Sequence, residues 1–138
     1  MLDLLTNNLL GILIATAAAM VIGSIWYAKP VFGQDWQKLV GLKDKDMKQG
    51  MAKSMAVMLL MALVSAVVLQ RFIVIANPQN YVEAVKLGAW IWLGFVATYA
   101  IGNGAFEKRP TKLVVINIVN QLITLLVMSV ILFATYNA

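Results

Sequence analysis

The chain has 138 residues, of which 62% are hydrophobic and only 12% are charged, and its formal net charge is +5. This charged fraction is about half that of an average soluble domain, which excludes an ordinary soluble globular protein. The absence of Cys and His also excludes disulfides, thiol chemistry and the usual zinc and haem ligands.

Uncharged residues form four long windows, at positions 4–28, 54–70, 87–106 and 113–138. A helix needs about 20 apolar residues to cross the hydrocarbon core. The second window is shorter, but Arg71 can extend its side chain toward the headgroups and the apolar "FIVIA" continues the span. The sequence therefore predicts an all-α, polytopic membrane protein: a single bundle of four transmembrane helices, at about 4–28, 52–76, 82–104 and 111–136.

Small residues recur at every fourth position of the first helix, as Gly11, Ala15, Ala19 and Gly23. This spacing lets the backbone of another helix approach closely. Packing against the second or fourth helix of the same chain is the favoured interpretation, and a homo-oligomer contact is the alternative.

Aromatic residues crowd the segment where the first helix ends. The segment carries a motif of rings and turn residues, Trp26, Tyr27, Pro30, Phe32, Gly33 and Trp36. Rings at a helix end are typical of the lipid headgroup region. Because Phe32, Trp36, Leu39 and Val40 share helical spacing, we expect a short interfacial helix within about residues 30–43, between the first two membrane helices.

The second and third helices meet at the opposite end, in a connection that contains Arg71 and Glu83. Asn80 is a candidate N-cap for the third helix, and Glu83 falls in its first turn, where an acid is favoured. We expect Arg71 and Glu83 to form a charge pair at this membrane boundary.

Polar residues follow one stripe of the fourth helix, where Asn117, Asn120, Gln121 and Thr124 lie at i, i+3, i+4 and i+7. A carboxamide left unsatisfied in hydrocarbon costs ~1 kcal/mol or more, so the stripe must face protein or water. It would form interhelical hydrogen bonds, with Asn103 among the partners, or line a small polar cavity. Interhelical hydrogen bonds are the favoured alternative.

Nine of the eleven Lys and Arg residues fall in the connections after the first and third helices. Basic residues in short loops mark the cytoplasmic side. We expect a multi-pass protein of the bacterial inner (plasma) membrane, with both termini outside and the basic loops in contact with anionic lipid headgroups. A nucleic-acid partner has no support beyond the charge itself.

Two blocks of sequence resemble a family catalogued as domain of unknown function 1761. The block "GSIWYAKPVFGQDWQKLVGL" is similar to its Gly-x-x-Trp-Tyr and Pro-x-x-Phe-Gly-x-x-Trp pattern, although the gap from Pro30 to Phe32 is one residue shorter here. "WLGFVATYAIGNGAFEKRP" is the second match. The resemblance implies a small, mostly bacterial, four-helix membrane protein and brings no established substrate, cofactor or reaction.

The remaining polar residues form no catalytic constellation, because the acids cluster at the predicted cytoplasmic surface and no serine has an obvious activating partner. We therefore expect no enzyme, no cofactor and no metal site. A structural or accessory module that binds lipid, a second copy or another membrane protein is the favoured function. The alternative is a transporter or channel lined by the fourth-helix amides. Transport would be passive, since no intramembrane carboxylate is present to couple protons.

Overall fold

The computed structural model describes residues 7–136, and within them only helices and their connecting turns occur. Four helices are long and apolar enough to cross a membrane: α1 (Leu9–Trp26), α4 (Met51–Ala76), α5 (Tyr81–Phe106) and α6 (Thr111–Tyr136). Two short helices, α2 (Gln34–Val40) and α3 (Asp44–Lys48), lie between α1 and α4. The predicted all-α class with four apolar spans is confirmed.

The helix bounds differ from the predicted ones mainly in α1. Asn8 leaves helical geometry and caps α1, so the helix starts at Leu9, while predicted residues 4–6 lie outside the described part of the chain. The helix ends at Trp26 because Ala28 is extended and Pro30 follows. At the start of α5, Asn80 acts as the N-cap, since its Oδ1 accepts a hydrogen bond of 2.9 Å from the Glu83 backbone N–H.

Helix α6 is the centre of the bundle, packed against α1 on one side and α5 on the other, while α4 packs mainly against α1. The apolar core lies in the half of the bundle near the α4–α5 connection. It includes Ile12, Ala15, Ala66, Leu69, Ile73, Met128 and Leu132. We call that half the opposite end, and the half that carries residues 27–50 and 107–110 the basic end.

Helix α4 leaves the bundle toward the basic end. Its buried side chains, such as Ala66 and Ile73, all lie in its second half, whereas every residue from Met51 to Leu60 is exposed. Apart from Lys53 and Ser54, the first ten residues of this helix therefore present apolar side chains around its whole circumference, as expected for a helix surrounded by lipid.

Three of the four small residues of α1 pack within the chain. Gly11 lies against Thr135 of α6, Ala15 is fully buried, and Ala19 packs against the core. A side chain added at Gly23 would meet nothing within 4 Å, so the close contact does not extend to the basic end.

Two glycines of α5 make similar contacts that no regular spacing indicated. A Cβ at Gly88 would lie 2.5 Å from the Ser129 Oγ, and one at Gly104 would lie 2.8 Å from the Val114 Cγ2. These positions let α5 and α6 approach closely.

A buried hydrogen-bonded cluster joins α1, α4 and α6 at the opposite end. The Asn8 Nδ2 donates to the Gln70 Oε1 at 2.9 Å, to the Thr135 Oγ1 at 3.0 Å and to the Leu132 carbonyl at 3.3 Å. Gln70 is fully buried, and its Nε2 has no partner among the described residues. The only signal for this cluster in the sequence is the cap position of Asn8 before an apolar run.

The expected pair of Arg71 and Glu83 is not formed among residues 7–136. Gln70 faces the core, so the next residue, about 100° further around the helix, faces outward, and Arg71 is exposed. The Glu83 carboxylate instead accepts a hydrogen bond of 2.6 Å from the Gln79 backbone N–H, because it folds back over the start of α5.

Candidate functional site at the basic end

The segment after α1 folds back sharply onto the end of that helix. A single π-helical turn, Lys29–Gly33, begins with Pro30 in its first turn and closes when the Gly33 N–H donates to the Ala28 carbonyl at 2.9 Å. A Cβ at Gly33 would lie 2.8 Å from both the carbonyl carbon and the oxygen of Ala28, and closer still to the Tyr27 carbonyl oxygen. Only glycine fits this backbone contact without a shift.

The four rings of the motif pair with one another across this turn. The centroids of Trp26 and Phe32 are 4.5 Å apart, and those of Tyr27 and Trp36 are 5.7 Å apart in an edge-to-face arrangement. Such pairs add about 0.5–1.5 kcal/mol beyond the area they bury. The aromatic residues therefore hold α2 against the end of α1.

The same segment is bonded to α6. The Tyr27 hydroxyl donates to the Asn117 Oδ1 at 2.7 Å, and the Trp26 Nε1 donates to the Ile116 carbonyl at 3.1 Å. An ion pair of 3.3 Å joins Asp35 to Lys112 at the start of α6. We call residues 27–50, held in this way, the folded loop.

From its other side, α6 receives a hydrogen bond from α5. The Trp92 Nε1 donates to the Ile118 carbonyl at 2.7 Å, from a π-helical turn, Trp92–Ala97, in the middle of α5. Helix α6 is thus held between two indoles, Trp26 and Trp92, that bond its backbone carbonyls.

Within the folded loop, the first residue of α3 contacts both α2 and the π-helical turn. The Gln37 Nε2 donates to the Asp44 Oδ1 at 2.9 Å, and the Lys29 Nζ lies 3.5 Å from the same oxygen. The hydrogen bond from Gln37, together with the charge of Lys29, lowers the pKa of Asp44 below its ordinary value. Gly41, in the left-handed conformation with φ of 83°, ends α2 between these contacts.

The polar residues of α6 do not share one environment. Asn117 is half-buried and bonded to Tyr27, Asn120 is buried with an unpartnered Nδ2 among the described residues, and Gln121 is exposed. The Thr124 hydroxyl donates to the carbonyl of Asn120 in its own helix. Asn117 is therefore the one member of the stripe whose side chain bonds another segment in the described structure, and the four lie in different surroundings.

A groove of about 300 Å³, open on one side, lies between the end of α5 and the start of α6. Asn103 and Asn117 meet here, although they do not bond each other within the described residues. The other polar lining residues are Tyr99, Glu107 and Arg109, and Leu113 and Val114 supply apolar surface. We call this the α5–α6 groove.

Five lysines on or next to the folded loop are exposed and make no ion pair with the described acids: Lys38, Lys43, Lys45, Lys48 and Lys53. Exposed apolar side chains lie among these lysines, with Val40 and Leu42 between Lys38 and Lys43, and Val31 precedes them in sequence. The loop thus presents both charge and apolar surface at the basic end.

A family model described as "Protein of unknown function (DUF1761)" matches residues 10–133, which include nearly all of α1 and α6, all of α4 and α5, and the folded loop. No curated protein and no solved structure matches the chain.

Proposed function

The chain belongs to the DUF1761 family, and we propose that it is an accessory multi-pass membrane protein that binds the anionic lipid surface through its folded loop. The observation that carries this proposal is the combination of a defined loop fold with unpaired lysines. The Tyr27 to Asn117 hydrogen bond and the Asp35 to Lys112 ion pair hold the loop at the end of α6. Its lysines and apolar side chains remain exposed beside the membrane helices.

Anionic lipid is the partner that suits this surface best. Basic residues next to a membrane helix attract negatively charged headgroups, and interspersed apolar side chains can enter the interface. The asymmetry of Lys and Arg further supports a cytoplasmic position for the loop in a bacterial inner membrane, with both termini outside.

Lipid contact by the loop is tested with a fluorescent probe at position 40. Because the chain has no native cysteine, Val40→Cys provides a unique attachment site. We expect brominated phosphatidylglycerol to quench the probe more strongly than brominated phosphatidylcholine does. This preference for the anionic lipid should disappear when four loop lysines are changed to Gln, namely Lys38, Lys43, Lys45 and Lys48. The same probe at Gln79→Cys, in the α4–α5 connection, is the control.

Absence of quenching at position 40, or quenching that ignores lipid charge, would contradict loop binding to an anionic surface. If the probe at position 79 were quenched as strongly, and with the same preference for phosphatidylglycerol, the quenching would not be specific to the loop.

A passive transporter is the second candidate, because the α5–α6 groove is polar and open. It is disfavoured by the separate surroundings of Asn117, Asn120 and Gln121, which leave no continuous polar path among the described residues.

Single cysteines at Asn103, Asn117, Asn120 and Gln121 test for a water-filled path. In intact membranes we expect a hydrophilic maleimide to label Asn103→Cys and Asn117→Cys, which line the groove, and to spare Asn120→Cys and Gln121→Cys. The reason is that Asn120 is only 5% exposed and that Gln121 is exposed outside the groove on a membrane helix. Labelling of position 120 as fast as position 117 would favour the transporter.

A further inference from the structure

We infer that the α5–α6 groove binds the phosphate of a single anionic phospholipid, with Arg109 as its cationic partner. This assigns a specific lipid site on a surface formed by α5 and α6. It goes beyond the proposed function, since the groove would hold a lipid even if the folded loop made no contact with the membrane.

The position of the groove suits a lipid headgroup. Helices α5 and α6 each have 26 residues, about 39 Å at 1.5 Å per residue, which exceeds the ~30 Å hydrocarbon core. Their ends at Phe106 and Thr111 therefore reach the headgroup level, and Arg109 lies in the turn between them.

The groove opens beside the apolar outer surface of a membrane helix. Tyr99, which lines it, is 71% exposed, and Phe106 at the end of the same helix is 93% exposed. Trp90 and Phe95 continue this exposed aromatic surface along α5. Acyl chains could thus lie along α5 while the headgroup enters the groove, and the volume of about 300 Å³ is at the lower end of small-ligand sites.

The groove offers hydrogen-bond donors beside the Glu107 carboxylate. The Arg109 Nε pairs with the Glu107 carboxylate, which leaves the terminal guanidinium nitrogens for the two-pronged contact that phosphate favours. Because the Tyr27 hydroxyl occupies the Asn117 Oδ1, the Nδ2 of that amide remains a donor. The Asn103 side chain has no hydrogen bond to the described residues.

The charge balance favours an anionic lipid. Arg109 and Glu107 line the groove and pair with each other, so the excess positive charge is that of Lys108, which lies between them in the turn beside the groove. Lys112 is already paired with Asp35 of the folded loop. A headgroup with a net negative charge therefore suits the groove better than a zwitterionic one.

The test measures lipid retained by the full-length protein in native mass spectrometry after equilibration with equimolar phosphatidylglycerol and phosphatidylcholine. We expect wild type to retain one phosphatidylglycerol and Arg109→Gln to weaken the affinity for it about fivefold, measured as the lipid concentration at half occupancy. This ratio corresponds to one basic contact at a membrane surface. Lys86→Gln is the matched control, because it removes the same charge from an exposed position of α5 at the opposite end, and it should leave retention unchanged.

Glu107→Gln should act in the opposite direction, since it frees the whole Arg109 guanidinium and removes the negative charge from the groove. Increased retention in this variant keeps the inference testable if Arg109→Gln does not fold. Unchanged or weaker retention in a folded Glu107→Gln protein would overturn the inference.

Two further outcomes would also overturn it. Equal losses in Arg109→Gln and Lys86→Gln would show that retention follows the net charge of the protein and not the groove. Displacement of the lipid by millimolar glycerol phosphate would identify a free phosphate ester as the ligand. Failure of loop binding is seen separately, as absence of quenching at position 40 while retention still depends on Arg109.

Discussion

Gly33→Ala is expected to release the folded loop from α1 and to lower the melting temperature of the protein. The added methyl group would lie 2.8 Å from the Ala28 carbonyl carbon and oxygen. These are backbone atoms, so no side-chain rotation can make room, and the turn itself must open. Overpacking of this kind costs about 1–3 kcal/mol.

The structural change should extend beyond Gly33, because the π-helical turn that ends at this residue places Phe32 against Trp26 and Trp36 against Tyr27. We expect faster tryptic cleavage of the loop lysines and a lower melting temperature by circular dichroism. An unchanged cleavage rate together with an unchanged melting temperature would show that the close backbone contact is not required.

Gly102→Ala is the matched control for Gly33→Ala. It makes the same chemical change in α5, where the new methyl group meets nothing within 4 Å. Since alanine favours a helix over glycine by about 1 kcal/mol, this variant should be neutral or slightly stabilised. If Gly102→Ala lowered the melting temperature as much as Gly33→Ala does, the membrane helices would be generally intolerant of added volume.

The second large effect is expected at the opposite end, where Asn8→Ala should destabilise the bundle more than Gln70→Met. Alanine at position 8 removes the cap of α1 and also the partner of the buried Gln70 Oε1. Loss of a cap costs ~1 kcal/mol, and a buried polar group left without a partner costs about 1–3 kcal/mol. We expect a total of about 2 kcal/mol, since interhelical bonds in membranes tend toward the lower values.

Gln70→Met should be close to neutral, because methionine fills a similar volume and removes the unpartnered Nε2. The Asn8 Nδ2 keeps the Thr135 hydroxyl and the Leu132 carbonyl as acceptors. Reversible unfolding in mixed detergent micelles measures both variants against wild type. Equal destabilisation by the two changes would mean that the Gln70 amide does more than accept a bond from Asn8.

Much of the fold follows from the sequence because a bilayer imposes one length scale on every span. Uncharged windows of roughly 20 residues identified all four helices, and the α6 bounds of 111–136 agree with the structure. The Asn80 cap was also predictable, since a cap bonds to a residue only three positions away. These features depend on neighbours along the chain.

The candidate site was predictable only in part. The rings, Pro30 and Gly33 identified the segment after α1, and the resemblance to the family pattern pointed to the same residues. The polar stripe indicated Asn117 and Asn103 as members of a polar site, but no pattern indicated Arg109, because it becomes a neighbour of these two amides only when the ends of α5 and α6 meet.

The sequence by itself determined which segments are helical and which residues share a face of each helix. Only the tertiary structure decided what each face meets: Tyr27 bonds Asn117, 90 positions away, and Asn8 bonds Gln70. Among the described residues, Arg71 and Glu83 form no ion pair. The reason is that helical order depends on neighbours along the chain, whereas contacts between helices join residues far apart in sequence. Helical periodicity orders side chains around a single axis, whereas a hydrogen bond depends on which second helix comes within about 3 Å of that face.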